Sequence, residues 1–341
     1  MGIKNLTSFL KDHCPETITQ IYLNEFNGKK AAIDVSIFLY RFKYKGNNLI
    51  PKFFEQINRL RCNNITPIYI FDGPPGPEKD NVMLIRKSKK EEKFIKLDEM
   101  RIEMNKTKDL HEKNSIQKKI DDLNNKIISV SKDDIIEVKK LFDLLNVKYI
   151  RAKGEADLLC SKLCSDNIVD FVISEDMDLL TSGSKYLLRD FNIYNNKATL
   201  YDLESIFKTL NITQEQFVEL CILFGCDYLK RISGLGPKKS YKFIKQGFTI
   251  DKIIDSIQIN KPNYMNEFNK DNYITEFNKS KYIFMNYDLS YVDMTLFKQD
   301  IIPLNNHGEI IDYISSYTKL SYKQIINRLK NIYNTKELSK Q

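Results

Sequence analysis

Residues 65–77, ITPIYIFDGPPGP, contain a short apolar run that ends at Asp72 and is followed at once by glycines and prolines. A run of this length with turn residues behind it is typical of a buried β-strand. Three other stretches have the same character: KKAAID (29–34), VDFVISED (169–176) and KYLLRDF (185–191). The helical pattern PKFFEQINRLRC (51–62) separates the first two strands. Apolar strands alternating with helices predict a mostly parallel α/β sheet that is covered on both faces.

The regions around these strands are predicted to be helical. Residues 79–131 are dense in charge, lack Gly and Pro, and contain a helical seam at Ile116, Ile120, Leu123 and Ile127, so we expect one or two long helices there. From charge alone, a solvated hairpin that merely connects two strands fits this segment equally well. After Tyr201 the chain is predicted to be wholly helical to its end.

The composition excludes several classes of protein. Of 341 residues, 42% are hydrophobic, which rules out wholesale disorder, and no run of 18 apolar residues is present to span a membrane. The N-terminus, MGIKNLTSFLKDHC, lacks the apolar core of a signal peptide. Six cysteines without a CxxC pair and three histidines argue against zinc. The net charge of +8 is consistent with a polyanionic partner and also with simple solubility.

Acidic residues lie where the predicted strands end. Asp34, Asp72 and the pair Asp176 and Asp178 follow three different strands, at the sheet edge where α/β proteins bind ligands. Three further acids occur at helix ends: Glu155 and Asp157 begin the helix of RAKGEADLLCSKL, and Asp227 ends the apolar helix ELCILFGCDY. Seven converging carboxylates would repel one another unless hard divalent cations such as Mg²⁺ or Mn²⁺ bound between them. Any one of these acids alone could instead cap a helix or shape a turn.

A second motif, ISGLGPKKSYKFI (232–244), has the features of a phosphate-binding turn. Gly234 and Gly236 precede Pro237 at a predicted helix start, where free backbone N–H groups and the helix dipole favour anions. Lys238 and Lys239 add positive charge beside this helix start. The motif therefore favours a sequence-independent grip on a nucleic-acid backbone over an ordinary connection between helices.

These blocks, in this order, resemble the XPG/flap endonuclease family of structure-specific 5′ nucleases. The matching blocks are MGIKNL, AAIDVSIFLY, YIFDGPPGPEK, GEADLLC, ISEDMDLLTSG and CILFGCDYLKRISGLGPKKSYKFI. The resemblance covers roughly residues 1–250 and is closest to flap endonucleases. It implies a PIN-like nuclease domain with a helical arch at about 79–131 and a helix–hairpin–helix (H3TH-type) element at about 213–250. Residues 251–341 would form a helical C-terminal extension packed on that domain.

The resemblance also implies roles for individual residues. Asp34, Asp72, Glu155 and Asp157 match the first group of metal-binding acids, and Asp176, Asp178 and Asp227 match the second, for two Mg²⁺ ions that Mn²⁺ can replace. Flap endonucleases usually have Glu where this chain has Asp157. The matching DNA-contacting positions are Lys79 and Arg86 at the base of the arch, Tyr40 as a base-stacking aromatic, Gly2 beside the active site, and Gly234, Gly236, Lys238 and Lys239 in the helix–hairpin–helix element, which in the family also holds K⁺.

Three features depart from the family pattern. The interval between Asp34 and Asp72 is short, which puts recognition of a 3′ flap in question, whereas the arch segment is longer than usual. The tail NTKELSKQ contains no sliding-clamp-binding motif. The resemblance thus implies a monomer that acts on branched or flapped DNA, in the nucleus or, for a viral gene, at a cytoplasmic replication site. A 5′→3′ exonuclease like exonuclease 1 and a Holliday-junction resolvase remain alternatives on the same scaffold, as do a non-catalytic junction binder and an RNA 5′-exonuclease.

Overall fold

A computed structural model of the chain describes residues 2–44, 49–74, 76, 80–127, 129–260, 268–298 and 307–333. The strands are β1 Ile18–Tyr22, β2 Lys30–Asp34, β3 Thr66–Phe71, β4 Lys148–Arg151, β5 Phe171–Ile173, β6 Tyr186–Asn192 and β7 Lys197–Asp202. The helices of the first half are α1 Leu6–His13, α2 Val35–Lys43, α3 Leu49–Cys62, α4 Asp80–Lys106, α5 Leu110–Lys126, α6 Lys132–Leu144, α7 Ala156–Ser165 and α8 Asp178–Thr181. The helices of the second half are α9 Leu203–Leu210, α10 Gln214–Phe224, α11 Pro237–Lys245, α12 Ile250–Asn260, α13 Lys270–Met285, α14 His307–Tyr317 and α15 Tyr322–Tyr333.

The seven strands form one sheet in the order β1-β7-β6-β5-β2-β3-β4. The five strands from β6 to β4 run parallel, and β7 is antiparallel to both of its neighbours, β6 and β1. The middle one of these five parallel strands, β2, pairs with β5 on one side and β3 on the other, so the ends of these three strands meet at one edge. The predicted mostly parallel α/β fold is confirmed.

The sheet separates two apolar cores, because side chains of successive strand residues point to opposite faces. On β2, Ala32 belongs to one core and Ala31 and Ile33 belong to the other. The first core is built with α1, α7, α9 and α10 to α13, and the second with α2, α3, α6, α14 and α15. Both faces are therefore covered by helices, as expected for strands that are apolar throughout.

Three strands were missed by the sequence prediction. β4 has only four residues, of which Ile150 alone is buried. β1 lies at the sheet edge with three of its five residues exposed, and β7 follows a polar turn in a stretch predicted to lead directly into helix. An edge strand that is largely exposed to solvent has few apolar residues in its sequence. The hydrogen bonds to β7, and not an apolar pattern, therefore stabilise β1 as a strand. The helical prediction for the chain after Tyr201 is otherwise confirmed from α9 to α15.

The charged segment forms two long helices, α4 and α5, which pack against each other. Ile116 and Ile120 of the predicted seam are buried on α5, and Leu97 is buried on α4. The loss of water contact at these three side chains stabilises the pair, since most of the other α4 and α5 side chains are exposed. The segment is thus a helical hairpin between β3 and β4.

The loop after β3 makes unusually close backbone contact with the loop before α7. The Gly73 N–H donates to the Gly154 carbonyl at 2.6 Å. A Cβ on Gly73 would lie 2.2 Å from the carbonyl oxygen of Ala152, whereas a Cβ on Gly154 would meet no atom within 4 Å. Gly73 is required here because only a residue without a side chain allows this approach.

We therefore expect Gly73→Ala to lower the free energy of unfolding by about 2 kcal/mol or more, because two backbone segments must separate. The matched variant Gly154→Ala introduces the same methyl group into open space and should change stability by less than about 1 kcal/mol. Urea denaturation of both variants measures this difference. Equal stabilities would show that the two loops can move apart at no cost.

Candidate metal-binding active site

Asp34 lies at the centre of the acidic edge, as the last residue of β2 and the N-cap of α2. One carboxylate oxygen accepts the Ser36 N–H at 3.0 Å, and the other accepts the Ser174 hydroxyl at 3.1 Å. Asp34 therefore caps the N-terminus of α2, as an aspartate at the end of a strand often does. Asp34 is 5% exposed, which places a charge almost out of contact with water.

Asp72 lies beside Asp34 and is held by two contacts. It accepts the N–H of Ala156, the first residue of α7, at 2.8 Å, and it also accepts the Ser36 hydroxyl. Ser36 therefore contacts both aspartates through different atoms. Glu155, the N-cap of α7, accepts the hydroxyl of Tyr228 at 2.8 Å.

Three further acids form the tightest group at this edge. One carboxylate oxygen each of Asp157, Asp176 and Asp178 lies within 4.8 Å of the others. Asp157 is in the first turn of α7. Asp176 lies in the loop between β5 and α8, and Asp178 is the first residue of α8. The Asp178 N–H donates to the Asp176 carboxylate at 3.1 Å, and the Asp176 N–H donates to the Ser174 hydroxyl oxygen at 3.2 Å. Backbone contacts thus direct these carboxylates toward one another.

Gly2 packs directly against this group. Its φ is +87°, and a Cβ at this position would lie 2.2 Å from Oδ1 of Asp176 and 2.7 Å from Oδ1 of Asp178. The chain start is anchored here by the Lys4 N–H, which donates to the Gly225 carbonyl at 3.0 Å. The structure thus places Gly2 where the sequence predicted it, beside the acids.

The electrostatics of the edge favour a bound cation. Burial, together with the charges of Asp72 and Asp176, raises the pKa of Asp34 from its ordinary value of 3.8 to about 7. Burial also raises the pKa of the Cys160 thiol, with the carboxylates of Asp34 and Asp157 adding to the effect, so this neighbour stays protonated. The available ligands are therefore carboxylate oxygens, which fit Mg²⁺ or Mn²⁺ better than softer metals.

Asp227 differs from its predicted placement. The helix α10 ends at Phe224, with Gly225 at φ +95°, so Asp227 lies in the following loop and does not end the helix. A glycine in this conformation stops a helix while the apolar pattern continues, which explains the error. Asp227 is not one of the three acids that lie within 4.8 Å, although its charge, like that of Asp178, acts on the neighbouring Cys226 thiol.

The structure describes the predicted DNA-contacting residues unevenly. Tyr40 is 51% exposed on α2. Gly234 has φ +78°, Gly236 is the N-cap of α11 with open space around it, and Lys238 and Lys239 are exposed in the first turn of that helix. Lys79 lies outside the described residues, and so does the side chain of Arg86 on α4.

Sequence reasoning missed several side chains that hold the acids. Ser36, Ser174 and Tyr228 each donate to an acid, and their only signal was a position one or two residues from an acidic motif. Glu175, the neighbour of Asp176 in the sequence, accepts a hydrogen bond from Arg41 at 2.6 Å and so joins α2 to the loop after β5.

The fold and the acidic edge define the protein as an α/β nuclease with a site suited to divalent metal. Family models match residues 1–93, the XPG N-terminal domain, and residues 146–227, the XPG I-region. Flap endonuclease 1 of Enterocytozoon bieneusi is 34% identical over 270 residues, covering 74% of this chain and 72% of that protein. The chain therefore belongs to the XPG/flap endonuclease family, which confirms the predicted resemblance and enzyme class.

Solved structures agree with this fold. The catalytic core of Rad2 in complex with a DNA substrate superposes with a TM-score of 0.62 at 21% identity, covering 97% of this chain and all of that one. Flap endonuclease-1 from Methanococcus jannaschii superposes with a TM-score of 0.63 at 20% identity, covering 93% and 95%. Across the described part of the chain, no helix has the length and hydropathy needed to cross a membrane.

The position of Gly2 gives a direct test of the site. We expect Gly2→Ala to slow Mg²⁺-dependent hydrolysis by about 10-fold or more, because its methyl group displaces Asp176 and Asp178. Gly28→Ala is the matched control: its φ of +78° imposes similar backbone strain, but its nearest neighbour, Asn64, is 3.9 Å away. Turnover rates at saturating Mg²⁺ measure the effect. An equal loss in both variants would attribute it to backbone strain alone.

The raised pKa of Asp34 predicts how the metal-free protein responds to pH. The folded state holds a proton on Asp34 that the unfolded state releases near pH 4, so stability should fall as pH rises from about 4 to 7, by up to about 1.4 kcal/mol per pH unit. Asp34→Asn should remove this part of the pH dependence and stabilise the protein in EDTA at pH 8. Denaturation curves at pH 5 and 8 measure it, with the exposed Asp312→Asn as control. A slope unchanged in Asp34→Asn would contradict the prediction.

Proposed function

We propose that the enzyme hydrolyses a DNA phosphodiester bond next to the junction of a 5′ single strand with a duplex, as a flap endonuclease. The observation that carries this proposal is the convergence of Asp157, Asp176 and Asp178 within 4.8 Å, beside Asp34 and Asp72, in a chain of this family. A non-catalytic binder has no use for carboxylates that destabilise one another.

We assign the acids to two Mg²⁺ sites, which Mn²⁺ can also fill. Asp34, Asp72, Glu155 and Asp157 would form the first group and Asp176, Asp178 and Asp227 the second. Asp157 would join the two groups. When bound, the metal pair would activate the attacking water and stabilise the leaving 3′-oxygen. The protein's own part is to hold the carboxylates: Ser36, Ser174 and Tyr228 orient three of them through hydrogen bonds.

The remaining predicted residues would bind and orient DNA. Tyr40, half exposed on α2, is available to stack on a base beside the cut. Lys79 and Arg86, two helical turns apart in sequence, would face the same way and neutralise charge on the reacting phosphate. The start of α11, with Gly234, Gly236, Lys238 and Lys239, would grip the duplex backbone, with K⁺ as the ion that the family holds there.

The domain organisation follows from the same assignment. We infer a nuclease domain of residues 1–250, with the arch at about 79–131 and the helix–hairpin–helix element at about 213–250, and a helical extension of residues 251–341. In support, α13 packs on α10, and α14 and α15 pack on α3. We also infer a monomer, located in the nucleus or, for a viral gene, at a cytoplasmic replication site.

Cleavage of one labelled double-flap DNA in the presence of Mg²⁺ tests the proposal. We expect a single cut near the base of the 5′ flap. Asp178→Ala should reduce cleavage by at least about 100-fold and leave binding to the same DNA largely intact, because it removes a metal ligand and no DNA contact. Asp312→Ala, an exposed aspartate on α14, is the control.

Other outcomes would contradict the proposal. Full turnover in Asp178→Ala would refute the metal assignment. Preferred digestion of a blunt duplex from its 5′ end, preferred cleavage of a four-way junction or preferred digestion of 5′-labelled RNA would each replace the flap endonuclease with the corresponding alternative.

A further inference from the structure

The segment that follows α13 lies against the loop that carries Glu155. The hydroxyls of Tyr287 and Tyr291 are 2.8 Å apart, and the backbone N–H of Lys153 donates to the Tyr291 hydroxyl at 3.1 Å. Tyr291 of the C-terminal extension thus supplies a hydroxyl oxygen to a loop whose backbone has no regular secondary structure, and Tyr287 holds that hydroxyl through its own.

The side chain of Lys153 strengthens the same contact. Its ammonium group lies 4.4 Å from the centre of the Tyr291 ring and 3.7 Å from the carboxylate of Asp288. A cation over an aromatic face and beside a carboxylate is attracted by both. The loop at residues 152–154 is therefore joined to the segment after α13 through its backbone and through a side chain.

This loop determines where two of the acids lie. Glu155 follows it directly, and the Gly154 carbonyl accepts the N–H of Gly73, the residue after Asp72, at 2.6 Å. A shift of the loop would move Glu155 and the backbone beside Asp72 together, because Gly73 is in contact with it and has no space to adjust.

The end of α13 also reaches Glu155 by a second route. The ring of Phe284 packs edge-on against Tyr228 at 5.3 Å, and the Tyr228 hydroxyl donates to Glu155. The extension thus contacts both the backbone before Glu155 and the side chain that orients its carboxylate. Two independent contacts, one on the backbone before Glu155 and one on its hydrogen-bond donor, indicate more than general packing of a helix.

We propose that Tyr287 and Tyr291 are positioning residues of the active site, which hold the Glu155 loop in the geometry that binds metal. The inference rests on the proposed function, in which Glu155 is a metal ligand. It makes the C-terminal extension, which lies outside both family-model matches, part of the catalytic apparatus.

The test removes each hydroxyl while it keeps the ring, as Tyr287→Phe and Tyr291→Phe. We expect the Mg²⁺ concentration for half-maximal cleavage to rise by about 10-fold, as it does when a residue that orients a metal ligand is lost. The KM for DNA should not change, because neither hydroxyl contacts DNA in the proposed arrangement. Loss of general stability alone would not move the Mg²⁺ dependence at a temperature where the variants remain folded.

Tyr333→Phe is the matched control. Its hydroxyl is also bonded to a backbone group, here as the donor to the Leu145 carbonyl, but Leu145 precedes β4 and so lies at the opposite edge of the sheet. This variant should keep the Mg²⁺ dependence of the unmodified enzyme. Hydrogen exchange at the Lys153 amide gives a direct structural readout. We expect this amide to exchange faster in Tyr291→Phe and at an unchanged rate in Tyr333→Phe.

The increase in melting temperature on Mg²⁺ addition, measured on the same proteins without DNA, separates the two proposals. Cleavage of the double flap with unchanged Mg²⁺ dependence in both tyrosine variants would overturn the positioning role and leave the proposed function standing. A different outcome is that the unmodified protein fails to cleave DNA while Mg²⁺ raises its melting temperature by more than it raises that of either tyrosine variant. That result would overturn the proposed function and support the positioning role. Absence of any Mg²⁺ shift and of cleavage would overturn both.

Discussion

Mutual repulsion of carboxylates at one edge of the sheet is the constraint on which the rest of this structure depends. Asp34 is almost fully buried, and burial together with the charges of Asp72 and Asp176 raises its pKa to about 7. Such an arrangement opposes folding in the absence of a cation, so it must be held by the surrounding structure. The parallel strands β2, β3 and β5 do this because their ends meet at the same edge.

Close backbone contacts keep the acids together. Gly2 and Gly73 both lie where a Cβ would be 2.2 Å from another atom, a carboxylate oxygen in one case and a backbone carbonyl in the other. Both glycines lie where segments distant in the sequence meet. Gly2 brings the chain start against Asp176, and Gly73 brings the loop after β3 against the loop before α7. Tyr287 and Tyr291 extend the same principle to the C-terminal extension, because the Tyr291 hydroxyl accepts a backbone N–H of the loop before α7 and is bonded to the Tyr287 hydroxyl.

The success of sequence prediction varied with how local the signal was. The strands of Asp34, Asp72 and Asp176 were predicted because each is a continuous apolar run, and the α5 seam because Ile116 and Ile120 repeat with helical spacing. β1 was missed since its residues are mostly exposed and gain their structure from pairing with β7. The end of α10 was placed three residues late, because Gly225 stops the helix while the apolar pattern continues.

The amino-acid sequence by itself determined the class of fold, the identity of the acids and the expectation of oxygen-bound metal, because strand patterns and residue chemistry are local properties. Tertiary structure alone decided which acids lie within reach of one another. It also decided that Ser36, Ser174 and Tyr228 orient them and that Glu175 pairs with Arg41 instead of joining the metal set. These outcomes depend on distances between residues tens to more than a hundred positions apart, which are set by strand order and helix packing and leave no pattern in the sequence.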